Sequence, residues 1–242
     1  MADLAGVHLK LSRAYEHFEA FKSLEVELSS KNIQYAMQGY NHELGRYEFI
    51  IQDDWRIPES CPLVIGDCLY NARSCLDHLA WQLARKPGRN TYFPLHDSLE
   101  QFESKAMAQM LTMKPSAQSK IEELQKYNRP DLWLDLLHEL NLTDKHRLLL
   151  VTAMRPAGSV ATGGLPDSVS VRFTDEPFMK GSVFMTSEMP FDPELHASYL
   201  PIGEIAFGEA PAKRRGVQYV LYKILHDIET VVLPSFRPDD FW

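Results

Sequence analysis

From Pro62 to Arg85 the apolar residues recur with a period so regular that one element of the fold follows from it. At about 100° per residue, Ile65, Leu69, Ala72, Leu76, Leu79 and Leu83 fall within roughly ±40° of a single line. Pro62 suits a first helical turn, where its missing N–H has no partner to lose, and Pro87-Gly88 stops the run. The spacing predicts a helix over about 62–85 whose leucine stripe must be buried. Its other side carries Asp67, Tyr70, Asn71, Arg73, Ser74, Asp77, His78 and Trp81. A solvated face would be rich in Lys and Glu, whereas short polar groups mixed with aromatics point to a second contact or a site. Arg73 and Asp77, four apart, can pair along the helix. With His78 beside them they form either a structural ion pair or the start of a functional group.

A second strong helix is predicted over about 131–147, with Leu132, Leu136, Leu137 and Leu140 inward and Asp135, His138, Glu139, Lys145 and His146 turned away. Glu139 and His146, two turns apart, face the same way. Asp144 and Arg147 would fall on the apolar side of a straight helix, so they make a buried pair or the helix breaks at 141–143. An amphipathic helix over about 4–29 (Leu4, Leu11, Ala14, Phe18, Phe21, Leu28) and a last one over about 212–231 (Val217, Val220, Leu221, Ile224, Ile228, Val231) complete a set of four. Weaker helical patterns lie near 98–108 and 116–126.

Between these segments the period changes to two. Runs at 33–40 and 46–52, joined by Asn41-His-Glu-Leu-Gly45, read as a hairpin. Ser168–Thr174 alternates cleanly, and 148–154, 182–186 and 202–207 read as further strands, punctuated by Gly163-Gly164 and Pro190–Pro193. With no repeat, low-complexity tract or linker, residues 1–242 read as a single α+β domain. It has a four-helix core drawn from about 4–29, 62–147 and 212–231, and an antiparallel β-layer from about 33–52 and 148–208.

Composition narrows the function classes. A chain of 242 residues that is 45% hydrophobic has enough apolar surface for a sizeable core. A net charge of −8 argues against broad, non-specific binding to nucleic acid or anionic membranes, though not against a local basic site. Cys61, Cys68 and Cys75 repeat every seven residues, about 10 Å apart along a helix, too far for a disulfide or a shared metal. They read as buried helix-face residues in a reducing compartment. The start of the chain has no signal-peptide pattern and no run of 18 apolar residues occurs, so the expectation is a cytoplasmic protein without a membrane span.

His138-Glu-Leu-Asn-Leu142 begins like a zinc-protease motif but lacks the second histidine. A looser set of Asp77, His78, His138, Glu139, Asp144 and His146 would suit zinc or manganese if the two strong helices faced each other, but no spacing demands it. No nucleotide-binding loop or nucleophile elbow is present. Lys213-Arg-Arg215, at the start of the last predicted helix, is either a solvated run or a phosphate patch. No metal and no cofactor is expected.

Asn71-Ala-Arg-Ser-Cys-Leu-Asp-His-Leu-Ala-Trp-Gln-Leu83 and His138-Glu-Leu-Asn-Leu-Thr-Asp-Lys-His-Arg147 resemble two signature stretches of an uncharacterised bacterial protein family. Pro87-Gly-Arg-Asn-Thr91 with Phe93-Pro94 resembles its connecting loop. More distantly, Arg73-Ser-Cys-Leu-Asp-His78 resembles the Arg-x4–6-His pattern of HEPN domains, helical modules of bacterial conflict systems such as phage defence and toxins. The resemblance implies a metal-independent ribonuclease in which Arg73 holds a phosphate, His78 is the general acid or base, and Asp77 supports them. Tyr70, Asn71 and Trp81, with Glu139, His146 and Arg147 on the second helix, are the candidate binding residues. Residues five apart on a straight helix point about 140° away from each other, so Arg73 and His78 would meet on one RNA phosphate only in a homodimer. The alternatives are a non-catalytic binding protein on the same fold and a metal-dependent hydrolase using the histidines and carboxylates.

Overall fold

A computed structural model describes residues 3–32, 36–51, 57–149, 151–154, 171–173, 180–188 and 204–242. The expected turn at Gly163-Gly164, the Pro190–Pro193 stretch and the outer ends of several predicted strands lie outside these residues. The elements run α1 (Ala5–Asn32), β1 (Ala36–Asn41), β2 (Arg46–Ile51), α2 (Ser60–Leu83), α3 (Leu99–Met110), α4 (Pro115–Glu123), α5 (Leu134–His146), β3 (Val151–Met154), β4 (Val171–Phe173), β5 (Val183–Ser187), β6 (Glu204–Phe207) and α6 (Val217–Asp227). The protein is α+β. Among the described residues no helix is long and apolar enough to cross a membrane.

The chain divides into two compact units, one of Met1–Phe21, Pro62–Leu149 and Gln218–Trp242, the other of Lys22–Cys61 and Leu150–Val217. In the first, the α2 stripe is fully inside: Ile65, Leu69, Ala72, Leu76, Leu79 and Leu83 are all buried, with Leu136, Leu137 and Leu140 of α5 and Val220, Leu221 and Ile224 of α6. The seven-residue cysteine repeat is buried too and carries no disulfide. Burial pushes the Cys68 and Cys75 thiols up to about 12, so neither is a thiolate at neutral pH.

Polar contacts fix the helix neighbours. Asp3 N donates to Gln82 Oε1 at 3.3 Å, Lys10 Nζ to Asn71 Oδ1 at 3.4 Å, and His17 Nδ1 stands 4.0 Å from Asp67 Oδ2. The numbers rise on α1 as they fall on α2, so the two helices are antiparallel. Gly66 of α2 lies against the Asp144 carboxylate, where a Cβ would collide with it, while Arg73 shares a cavity with His138. That order makes α2 and α5 antiparallel as well. Trp133, just before α5, donates its N–H to Asp227 Oδ2 at 3.0 Å and sets its ring edge-on to Tyr219 of α6. Tyr15 of α1 reaches Glu229 just after α6 at 2.6 Å.

Three details differ from the sequence reading. The helix at α5 starts three residues later than expected and does not break at 141–143; Arg147 is exposed at its C-cap, so no buried Asp144–Arg147 pair forms. Lys213-Arg-Arg215 precedes α6 instead of opening it. Arg214 sits there in a left-handed turn (φ 66°), and Phe207 N–H donates to the Arg215 carbonyl. The last helix does not end near 231: a π-helical turn at Ile228–Val232 carries the chain into one more turn, Leu233–Ser235, with Pro234 inside it. Proline is tolerated at that first-turn position.

The second unit holds the strands, all antiparallel. A four-stranded sheet has the order β1-β2-β5-β4, and β3 and β6 form a two-stranded sheet. The β1–β2 hairpin is closed by Asn41, whose side chain accepts from the Glu43 and Leu44 N–H groups, and by Gly45 at φ 64°. Glu25 on the second half of α1 is buried and accepts the Ile205 N–H of β6 at 2.7 Å.

Candidate functional site

The site is built around the loop that follows α2. Phe93 is fully buried and is held at both backbone atoms from one face of α2: its N–H donates to Asp77 Oδ1 at 3.1 Å, and its carbonyl accepts from Arg73 Nη2 at 2.5 Å. Arg73 and Asp77 pair with each other at 2.8 Å, as their spacing predicts. Gln125, wholly buried just past α4, holds the next residues. Its Nε2 donates to the Pro94 carbonyl at 3.0 Å and its Oε1 accepts the His96 N–H at 2.9 Å. Loop residues 93–96 are therefore fixed from two sides, which is how an irregular segment comes to place a side chain reproducibly.

Beside the loop lies a cavity of about 330 Å³, walled by Arg73, by Tyr92, Phe93, Leu95, His96 and Asp97 of the loop, by the Gln101, Lys105 and Gln109 side of α3, and by Asp135, His138 and Glu139 of α5. Arg73 is only 7% exposed. Of five buried side-chain atoms that lack a hydrogen-bond partner among the described residues, three are here: Arg73 Nη1, His96 Nε2 and Gln109 Oε1. His96 and Gln109 stand next to each other and can satisfy one another by a small rotation. Arg73 Nη1 is different. A buried cation with an unused donor is costly, because the desolvation of a charged group is offset only by bonds it makes.

Both imidazoles in the wall are held towards the neutral form. Burial lowers the His96 pKa below its ordinary value, helped by the Lys105 and Arg73 charges. Burial likewise lowers His138, followed by Arg73 and His96. At neutral pH these are two proton acceptors beside a guanidinium. Across the cavity, oxygens of Asp97, Asp135 and Glu139 come within 4.8 Å of one another, a spacing that would suit a cation. Two of them already have one: Lys126 Nζ is 2.8 Å from Asp135 Oδ2 and 3.4 Å from Asp97 Oδ1. A divalent ion would have to displace that lysine.

Of the residues singled out from sequence, the structure brings Arg73, Asp135, His138 and Glu139 to the cavity, with Asp77 anchoring its loop. It does not bring the others there. His78 is exposed and sits beside α1, where a Cβ on Gly6 would lie 2.8 Å from its Nδ1. Tyr70 (52% exposed) lies under Lys10, and Trp81 is 48% exposed. Asn71 is buried and donates to the Asp67 carbonyl at 2.8 Å. His146 and Arg147 are exposed at the far end of α5. The looser metal set of Asp77, His78, His138, Glu139, Asp144 and His146 is likewise spread over separate surroundings. In one protomer Arg73 and His78 face different neighbours, as the angle between them requires.

Comparisons with protein families, curated proteins and solved structures give no match. The site therefore stands on its own geometry. His96, Lys105, Gln109 and Gln125 had no sequence signal, since they lie in a loop, on a weakly patterned helix and past a helix end. His138 was visible only as a metal-ligand candidate. The one clue to His96 was Phe93-Pro94 just ahead of it, with an apolar loop residue that has to be buried by something.

Proposed function

We propose that this protein is a metal-independent, HEPN-like ribonuclease that works at the Arg73 cavity. The observation that supports it is Arg73 itself: a buried guanidinium with an unused donor, in the wall of a cavity that also holds two neutral imidazoles. A guanidinium matches phosphate oxygens in geometry and charge. One imidazole takes the proton from a ribose 2′-hydroxyl as its oxygen bonds to phosphorus. The P–O5′ bond then breaks and the leaving oxygen receives that same proton from the imidazolium so formed, passed on through the other imidazole, giving a 2′,3′-cyclic phosphate and a 5′-hydroxyl end. Arg73 stabilises the charge gained by the phosphoryl oxygens. The contacts of α1 with α2, α2 with α5, α5 with α6, and α1 with the turn after α6 support a four-helix core of the kind the resemblance implies. In this arrangement both imidazoles come from the same protomer as the arginine, so a second copy is not required for chemistry.

Two observations favour other readings. The Arg73–Asp77 clamp on Phe93 is a structural duty that suits a non-catalytic binding protein, and the Asp97–Asp135–Glu139 spacing suits a metal-dependent hydrolase. One assay separates the three. End-labelled single-stranded RNA incubated with the protein in excess EDTA should be cut to products ending in cyclic phosphate. The rate should fall about 10²- to 10⁴-fold in His138→Ala. Cleavage only after addition of Mn²⁺ or Zn²⁺ would establish the hydrolase, and binding of RNA without cleavage under either condition would establish the binding protein.

A further inference from the structure

We infer that Glu139 is the base-reading residue of this site and that it selects guanine; the inference rests on the ribonuclease reading above. Glu139 follows His138 on α5 and its side chain lines the same cavity, half-buried. It belongs to the group of three carboxylates, but Lys126 takes the other two, Asp97 and Asp135. Glu139 makes no ion pair among the described residues. Besides Lys105 on α3 and the two carboxylates held by Lys126, the cavity wall carries two groups of opposite charge. One is Arg73, nine-tenths buried, whose unpartnered Nη1 calls for an anion. The other is a carboxylate that calls for hydrogen-bond donors.

A nucleotide offers both in one molecule. Its phosphate suits Arg73, and its base must then present donors to Glu139. Guanine carries two adjacent donors on its Watson–Crick edge, N1–H and the N2 amino group, spaced to meet both carboxylate oxygens as a guanidinium does. Adenine and cytosine present one amino donor beside a ring nitrogen acceptor, which would face the second oxygen. Uracil has a single N–H flanked by two carbonyls. Both arrangements put a lone pair against the carboxylate. Tyr92, 41% exposed and in the same wall, supplies an aromatic face on which a base can stack. A cavity of about 330 Å³ lies at the small end of the range of ligand pockets, on the scale of a single nucleotide.

The test is calorimetric titration of the full chain with the 3′-monophosphates of guanosine, adenosine, cytidine and uridine, and separately with inorganic phosphate. The guanosine nucleotide should bind about tenfold or more tighter than the other three, and Glu139→Gln should erase that preference, with its fold checked by circular dichroism. Four nucleotides of equal affinity would overturn the guanine assignment and leave the phosphate site standing. So would a Glu139→Gln protein that keeps the preference. No binding of any nucleotide or of phosphate would overturn the ribonuclease reading together with this one.

Discussion

Arg73 and His78 are five residues apart on one helix, and the two sides of α2 they occupy have little in common. Arg73 is buried, pairs with Asp77, holds the Phe93 carbonyl and borders a cavity. His78 is exposed beside the first turn of α1. Spacing along a helix sets direction before it sets distance, and five residues is a poor interval for two groups that must meet. The arginine's chemical company comes instead from elsewhere in the chain. Arg73 and Asp77 draw in the loop that brings His96, and the antiparallel run of α5 brings His138 to the same wall.

The comparison breaks most sharply on activity. His96→Ala should lower RNA cleavage by about 10²- to 10⁴-fold, as expected for loss of an acid–base group, while His78→Ala stays within about twofold of the parent. Initial rates on one RNA substrate decide it. A large loss from His78→Ala with little from His96→Ala would return the chemistry to the exposed side and to a dimer.

Stability gives the next contrast. Arg73→Ala removes one partner of a buried, hydrogen-bonded pair and leaves the Phe93 carbonyl unsatisfied, which costs about 3 kcal/mol, the low end for such a loss because Asp77 keeps some contact with water. His78→Ala, on an exposed face, should change stability by less than about 0.5 kcal/mol. Urea denaturation midpoints would show equal effects only if the Phe93 clamp contributed nothing.

The smallest effect is a pH dependence. Burial and neighbouring cations lower both His96 and His138, so in the folded protein they stay neutral at pH values where the unfolded chain's histidines begin to take up protons. The unfolded state then binds more protons. The stability they contribute is complete above about pH 6.5 and is lost as pH falls through their lowered folded values. A His96→Ala/His138→Ala protein should therefore lose less stability between pH 7 and pH 5 than the parent. Thermal melts across that range measure it.

The sequence showed most of the helical unit because its signals are periodic. The α2 stripe, the buried cysteine repeat and the leucines of α5 could be read directly, since a helix shows its inner face every third or fourth residue. The β1–β2 hairpin was readable from Asn41 and Gly45, two residues with specific turn chemistry. The last helix was less so: it continues through a π turn in which Ile228 and Val232 are buried, and no local pattern marks that turn. Of the site, Arg73, Asp77 and Glu139 stood out as polar residues on strongly patterned helices. His96 and Gln125 did not, because their roles come from a loop held by distant partners, and a loop has no period to read.

Gly66 gives the cavity a remote adjustment. Here the Asp144 carboxylate of α5 rests against the α2 backbone where a side chain would begin. Arg73 lies two turns further along α2, roughly 10 Å away, and His138 lies at the corresponding depth on the antiparallel α5. The two helices thus behave like the arms of calipers with their pin at Gly66. Added bulk at that pin should push the arms apart and change the gap between arginine and imidazole without touching either residue.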